Sequence, residues 1–442
     1  MTLLVISPDY ASHLLPLLTL ASGWTGDGSG GPTGDGSGER VVVATGPATR
    51  PLVDEAGFEY VELRLGRGSN PGIIRAEQQP TGEDDNLRAF FAATRAGMVA
   101  TLRYQADARR NDLLWDPVNV GRRVLDVVDE VRPDQVLVDH LAFGATLALR
   151  AGGVPYGDVV LGHPSALPVG DEIYGVPERW PAGFDAEMSD AAIAGLRAQG
   201  AAVRDGFTAA YNEAMSALDP GAAEVDDAFA AHGELVLYNF PYDLADPVRT
   251  PSLPPHVFLG SAVRAEEPDH EVAAWLDGGD GRPLVYVSFG TFLSARADVL
   301  ARVVEALAPL DVRVSLAIGS ADPAAVGPWP DHWLVRPYLP QVALLDHAAV
   351  AVTHGGNNTV TESLTAGVPM LVLPFSTDQF AGAADIERNG VGRALAPNVA
   401  TPADLRTAVE SLLDGPERAA ATALGARLRA DPGPAVARRS LR

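Results

Sequence analysis

The chain contains neither cysteine nor lysine. Without thiols, disulfides, thiolate metal sites and cysteine nucleophiles are excluded. Without lysine, so are P-loop ATPases and the enzymes that form Schiff bases with a substrate or with pyridoxal. All 33 positive side chains are arginine, against 57 carboxylates, for a net charge of −24. That deficit leaves no basic face for nucleic acid or an anionic membrane. It does not exclude a small phosphorylated ligand, which local amides and one or two cations can hold. Long hydrophobic runs are also lacking, since none reaches the roughly 18 apolar residues that span a bilayer. Met1–Ser7 has no basic segment followed by an apolar one, so no signal peptide is expected and the default location is cytoplasmic. The first strand is not followed by G-x-G-x-x-G, which demotes a nicotinamide dehydrogenase.

What is present is an alternation. At 442 residues and 47% hydrophobic, the chain is long enough for two or three domains. Leu3–Ile6, Val41–Ala44, Val136–Val138 and Val159–Leu161 are short, continuous apolar runs of the kind buried in parallel sheets. Helical patterns follow over 87–108 and 118–131. Phe240 to Leu259 carries five prolines and loses helical periodicity, so 241–262 reads as a linker. A second alternation then runs through Leu284–Ser288, Arg313–Ile318, Trp333–Val335, Val350–Thr353 and Met370–Leu373. Two doubly wound parallel α/β domains, 1–240 and 263–425, are expected to face one another across a cleft. The near-copies at 25–30 and 33–38, each Thr-Gly-Asp-Gly-Ser-Gly, do not have the aspartate spacing of a calcium loop and read as a solvated loop within 24–40.

Chemistry-bearing residues gather at strand ends. His13 follows the first strand, Asp139-His140 ends another and His163 follows a third. Ser288, Gly290 and Thr291 follow the strand at 284. The most informative stretch is His354-Gly355-Gly356-Asn357-Asn358-Thr359-Val360-Thr361-Glu362. It reads as a strand, a glycine turn and a helix start, with Asn357, Asn358 and Thr359 as expected capping residues. A helix N-terminus binds anions through its unpaired N–H groups and its dipole. Glu362, one turn further from Asn358, suits ribose hydroxyls better than phosphate. Together they suggest a nucleotide.

Tyr338-Leu339-Pro340-Gln341, the His354–Glu362 run, Gly367-Val368-Pro369, Pro374 and Asp378-Gln379 occur in order between 338 and 379. In this the chain resembles the inverting nucleotide-sugar glycosyltransferases that include plant natural-product glucosyltransferases and actinobacterial antibiotic glycosyltransferases. His13 with Pro16, Val287–Thr291 and the proline-rich linker look like the family too. The resemblance implies the GT-B fold, with acceptor on the first domain, donor on the second, and the 426–442 tail returning to the first. It implies that Tyr338 stacks on the base and Gln341 lies near the nucleoside. It further places His354, Asn358 and Thr359 on the diphosphate, Glu362 on the ribose, and Asp378 with Gln379 on the sugar, with Gly356 also on the donor side. Asn357 stands where plant members often have tryptophan.

Inverting transfer needs a base for the acceptor proton, and His13, oriented by Asp139, fits that role. Phe90, Phe91, Tyr104, Trp115, His140 and His163 are candidate acceptor-pocket residues. No metal site is recognised, so no cofactor is expected beyond the UDP- or TDP-sugar co-substrate. The expected partners are that donor and a lipophilic small-molecule acceptor, for a monomer or homodimer. A nucleotide-sugar epimerase of the same fold and a non-catalytic nucleotide-binding protein remain as alternatives.

Overall fold

A computed structural model describes residues 1–25, 39–70, 83–294 and 296–441. The Gly-Asp-Gly-Ser-Gly loop, from Gly26 to Gly38, lies outside the described residues, as does the side chain of Thr291.

Two parallel sheets form the frame. The first contains β1 (Thr2–Ile6), β2 (Arg40–Thr45), β3 (Glu59–Glu62), β4 (Gln135–Asp139), β5 (Gly157–Val160), β6 (Leu235–Tyr238) and β7 (His256–Phe258), in the order β3-β2-β1-β4-β5-β6-β7. The second contains β8 (Leu284–Ser288), β9 (Arg313–Ala317), β10 (Leu334–Arg336), β11 (Ala348–Thr353), β12 (Met370–Val372) and β13 (Gly392–Ala394), in the order β10-β9-β8-β11-β12-β13. Leu3, Leu4, Val5, Ile6, Val350, Ala351 and Val352 are wholly buried, as apolar strands covered by helices on both faces must be.

The apolar runs marked nine of these strands. Of the other four, β6 is also an apolar run, Leu235–Tyr238, that went unmarked, whereas the polar β3, and β7 and β13, have no such signature. The stretch expected as a linker contributes β7, an edge strand that follows Pro254-Pro255. At an edge the missing proline N–H costs no ladder bond. The helical pattern over 87–108 is two helices, Glu83–Ala96 and Met98–Asp112, separated at Gly97, whose φ of 117° few other residues adopt. At the other end, the Gly433–Ser440 helix returns to the first domain, where Val436 and Ala437 join a core with Leu14, Leu17 and Trp24.

Candidate active site

In open α/β sheets, ligands bind at the carboxyl edge where strand order reverses. Here that point lies between β1 and β4 in the first sheet and between β8 and β11 in the second. Ile6 pairs with Val138, and Ser288 with Thr353, so each pair of strands ends level. Both reversal points open onto one cavity of about 560 Å³, lined by His13, Asp139 and His140 from the first domain and by Ser288, Gly290, His354, Asn358 and Glu362 from the second.

His13 sits in the first turn of the Ala11–Ala21 helix, and its Nδ1 is 2.7 Å from Asp139 Oδ2. Asp139, 1% exposed, also accepts from the Leu141 N–H at 2.8 Å. That second bond fixes the carboxylate and directs it at one imidazole nitrogen, which leaves Nε2 for the cavity. Burial pulls the His13 pKa down, but the charge and hydrogen bond of Asp139, with the charge of Asp378, raise it on balance above 6.5.

The second wall is assembled around the Asn357–Ala366 helix. Gly356 is its N-cap, and no side chain caps it. The expectation that Asn357 and Asn358 cap this helix is therefore overturned. Asn357 Nδ2 donates to the carbonyls of Leu161 and Asn239, each at 2.8 Å, and Asn358 Nδ2 donates to that of Ser12 at 2.8 Å. Both amides bridge to the first domain, and the first N–H groups of the helix keep no side-chain partner. Gly290 has φ 68°, and a Cβ there would lie 3.0 Å from His354 Cε1. The close approach of turn and ring thus requires glycine. Burial lowers the His354 pKa to about 4, against the opposing charge of Asp378. The ring is accordingly neutral at ordinary pH.

Glu362, 5% exposed, meets Arg264 Nη1 at 2.8 Å and the Gln341 amide. Burial raises its pKa, with Arg264 and Gln341 opposing the shift. Arg264 also donates to Glu266 at 2.9 Å, and Glu266 accepts from the Tyr338 hydroxyl at 2.6 Å. Tyr338 stays 54% exposed at the cavity mouth. Gln341 is tied further to Tyr286 and Thr359. Arg264 and Glu266 have no spacing that marks them in the sequence, because they follow β7 within irregular chain.

Asp378 Oδ2 accepts the His163 N–H at 2.6 Å across the cleft, and Oδ1 accepts from Thr377 Oγ1 at 2.9 Å. Gln379 is 7% exposed and its amide oxygen accepts from the Phe375 and Ser376 N–H groups. It shapes the loop from within while lining the cavity.

Several expected acceptor residues lie elsewhere. Phe90 and Phe91, each 8% exposed, pack into the apolar core of the second domain with Tyr104 against it, and Trp115 packs on a first-domain core. None of the four lines the cavity, because their helical spacing serves packing. His163 binds Ser165 Oγ at 2.8 Å and Asp385 Oδ2 at 2.9 Å, so its ring ties the domains together. His140 does line the cavity, 2% exposed, with neither ring nitrogen hydrogen-bonded. Arg109 and Tyr174 also line it and went unmarked in the sequence. The Arg109-Arg110 doublet reads as an ordinary basic helix end.

Among the described residues no three His, Asp or Glu side chains come together as a metal site. Among the same residues no helix is long and apolar enough to cross a membrane.

Residues 203–428, just over half of the chain, match the UDP-glucoronosyl and UDP-glucosyl transferase family. Among curated relatives, the 4'-demethylrebeccamycin synthase of Lentzea aerocolonigenes is 34% identical over 166 residues, 37% of this chain and 39% of that protein. The oleandomycin glycosyltransferase of Streptomyces antibioticus is 31% identical over 201 residues, 45% and 46% of the two chains. The chain thus spans less than half the length of the curated relatives it matches. Among solved structures, the glycotransferase of kitacinnamycin superposes with a TM-score of 0.66 at 24% identity, over 100% of this chain and 97% of that one. The glycosyltransferase VinC in complex with dTDP does so with 0.66 at 20% identity, over 100% and 98%. The architecture is that of GT-B glycosyltransferases, and the chain belongs to the UDP-glucoronosyl and UDP-glucosyl transferase family.

Proposed function

We propose that the chain is an inverting glycosyltransferase that moves a sugar from a nucleoside diphosphate, UDP or TDP, to a hydroxyl of a lipophilic natural-product small molecule. The observation that carries this reading is the His13–Asp139 pair at one strand reversal, facing an uncapped helix N-terminus at the other. His13 Nε2 takes the acceptor proton as the hydroxyl oxygen attacks the anomeric carbon. The bond from that carbon to the diphosphate oxygen breaks, and Asp139 stabilises the imidazolium.

The departing diphosphate gathers charge beside the N–H groups at Gly356–Asn358 and the turn at Ser288–Gly290. Fixed dipoles there need no reorganisation as charge develops. In this reading neutral His354 donates to the diphosphate without adding charge, and metal is not required. Gln341 and Glu362 are assigned to the nucleoside, and Asp378 to sugar hydroxyls once it exchanges the His163 N–H for them. Gln379 is assigned a supporting role on the donor side.

Incubation with UDP- and TDP-sugars in EDTA, with and without a panel of hydroxylated aglycones, tests the proposal. Acceptor-dependent nucleotide release with a β-product from an α-donor supports it. Release or sugar conversion without acceptor points to the epimerase, and binding without turnover to a nucleotide-binding protein. Loss of activity in EDTA that Mg²⁺ restores would overturn the metal-free step.

A further inference from the structure

Several arginines at the domain interface and in the second domain are matched with carboxylates. Arg264 meets Glu362 and Glu266, Arg296 meets Asp298, Arg249 meets Glu172, and Arg388 meets Asp385. Arg109 differs. It lines the cavity from the Met98–Asp112 helix of the first domain, and among the described residues no carboxylate approaches its guanidinium to ion-pair distance.

Its contacts position it without neutralising it. The guanidinium lies 4.6 Å from the centre of the Tyr174 ring, and Nη1 makes one long hydrogen bond, 3.5 Å, to the Tyr174 carbonyl. The space it occupies exists because residue 175 is glycine: a Cβ there would collide with Nη1, and its φ of 78° excludes most other residues. A guanidinium carries five N–H donors, and among the described residues this one makes that single long bond. Burial lowers its pKa, with only Tyr174 and the charge of Asp378 opposing. Its side chain is partly buried, and the unneutralised guanidinium faces the cavity. A chain with 57 carboxylates has no shortage of side chains that would satisfy it.

The location narrows what does satisfy it. Asp378 acts on both Arg109 and His13, so the guanidinium is close to the reaction centre. It stands on the wall with His13, His140 and Tyr174, whereas the uncapped helix that faces the diphosphate belongs to the other domain. We infer that Arg109, braced by Tyr174 and Gly175, is a receptor for a carboxylate carried by the substrate, either on the acceptor or on a uronic acid donor. A planar carboxylate matches the guanidinium fork with two parallel hydrogen bonds. This inference rests on the glycosyltransferase reading and deepens it.

Two arms distinguish the sources. In one, hydroxynaphthoic acids and their methyl esters compete as acceptors with UDP- or TDP-glucose. In the other, UDP-glucuronate is compared with UDP-glucose on a neutral naphthol. The wild type is expected to favour the charged member by about tenfold or more in kcat/KM in one arm, as a charge-assisted, bidentate pair implies. Arg109→Gln brings that ratio close to one, and Arg109→Lys, which keeps the charge and loses the fork, retains part of it. Calorimetric binding of the same acid and ester pairs, and of UDP-glucuronate against UDP-glucose, gives the ratio without turnover. Failure of the transferase reading therefore shows as absent turnover, separately from failure here. Equal preference for acid and ester and for both donors overturns the inference, as does a preference that survives Arg109→Gln. Weaker binding of UDP and TDP themselves by Arg109→Gln would make Arg109 a diphosphate ligand and overturn it too.

Discussion

His13 and Asp139 stand 126 residues apart in sequence and 2.7 Å apart in space, and the pairing has a pH signature. The acceptor proton can be taken only by neutral imidazole. Because the His13 pKa is raised above 6.5, kcat/KM is expected to fall as the pH drops through that raised value. In Asp139→Asn the raising charge is gone and burial remains, so the acid limb moves to lower pH while the rate falls by about 10²-fold or more. An acid limb that stays in place in Asp139→Asn would show that another group titrates. His13→Ala should abolish transfer and leave TDP or UDP binding by calorimetry nearly unchanged. At Glu362 the expected signature is different. Glu362→Gln removes a carboxylate that Arg264 and Gln341 hold in place, so the donor KM rises about tenfold, the scale of one charge-assisted hydrogen bond, and the acceptor KM changes little. The reverse pattern in steady-state kinetics would remove Glu362 from the ribose.

At the scale of elements, the His354–Glu362 turn shows what a sequence can and cannot specify. The helix start at Asn357 and the glycine conformations were legible, because helix periodicity and Gly-Gly are local signals. The direction of the Asn357 and Asn358 side chains was not, since it depends on carbonyls at Ser12, Leu161 and Asn239, which only the fold brings near. Phe90 and Phe91 failed for the same reason. An aromatic pair on a helix has an apolar face in either setting, and only the neighbouring domain decides whether that face meets a cavity or a core. The bridge made by Asn357 leads to a prediction. Asn357→Ala leaves two carbonyls of the first domain unpaired at the cleft, a cost of about 1–3 kcal/mol. The closed arrangement should lose population, raising the radius of gyration in small-angle scattering and the donor KM together. Unchanged scattering and kinetics would mean that the remaining contacts between the domains, among them Asn358 with Ser12 and His163 with Asp385 and Asp378, suffice to hold the cleft.

For the whole molecule, the two-domain plan was readable because parallel strands buried on both faces leave continuous apolar runs, whereas edge strands such as β3 and β7 do not. The return of the C-terminal segment to the first domain was expected from family resemblance, and its anchoring is now explicit. Val436 and Ala437 are buried against the core that contains Leu14, Leu17 and Trp24. Arg438 pairs with Glu39 and lies 5.2 Å from the centre of the Trp24 ring, and the Gln135 amide donates to the Leu441 carbonyl. This helix therefore stabilises the domain that carries His13, although the chain reaches it from the second domain. A chain ending at Ala430 would expose that core face, losing about 3 kcal/mol of apolar burial. Its first thermal transition should fall by several degrees, and it should bind a dye that reports exposed apolar surface. TDP binding, which the proposed function assigns to the second domain, should persist while transfer falls. Simultaneous loss of TDP binding and fold would show that the helix supports both domains, and an unaltered melting profile would show that its contacts with the first domain contribute nothing to stability.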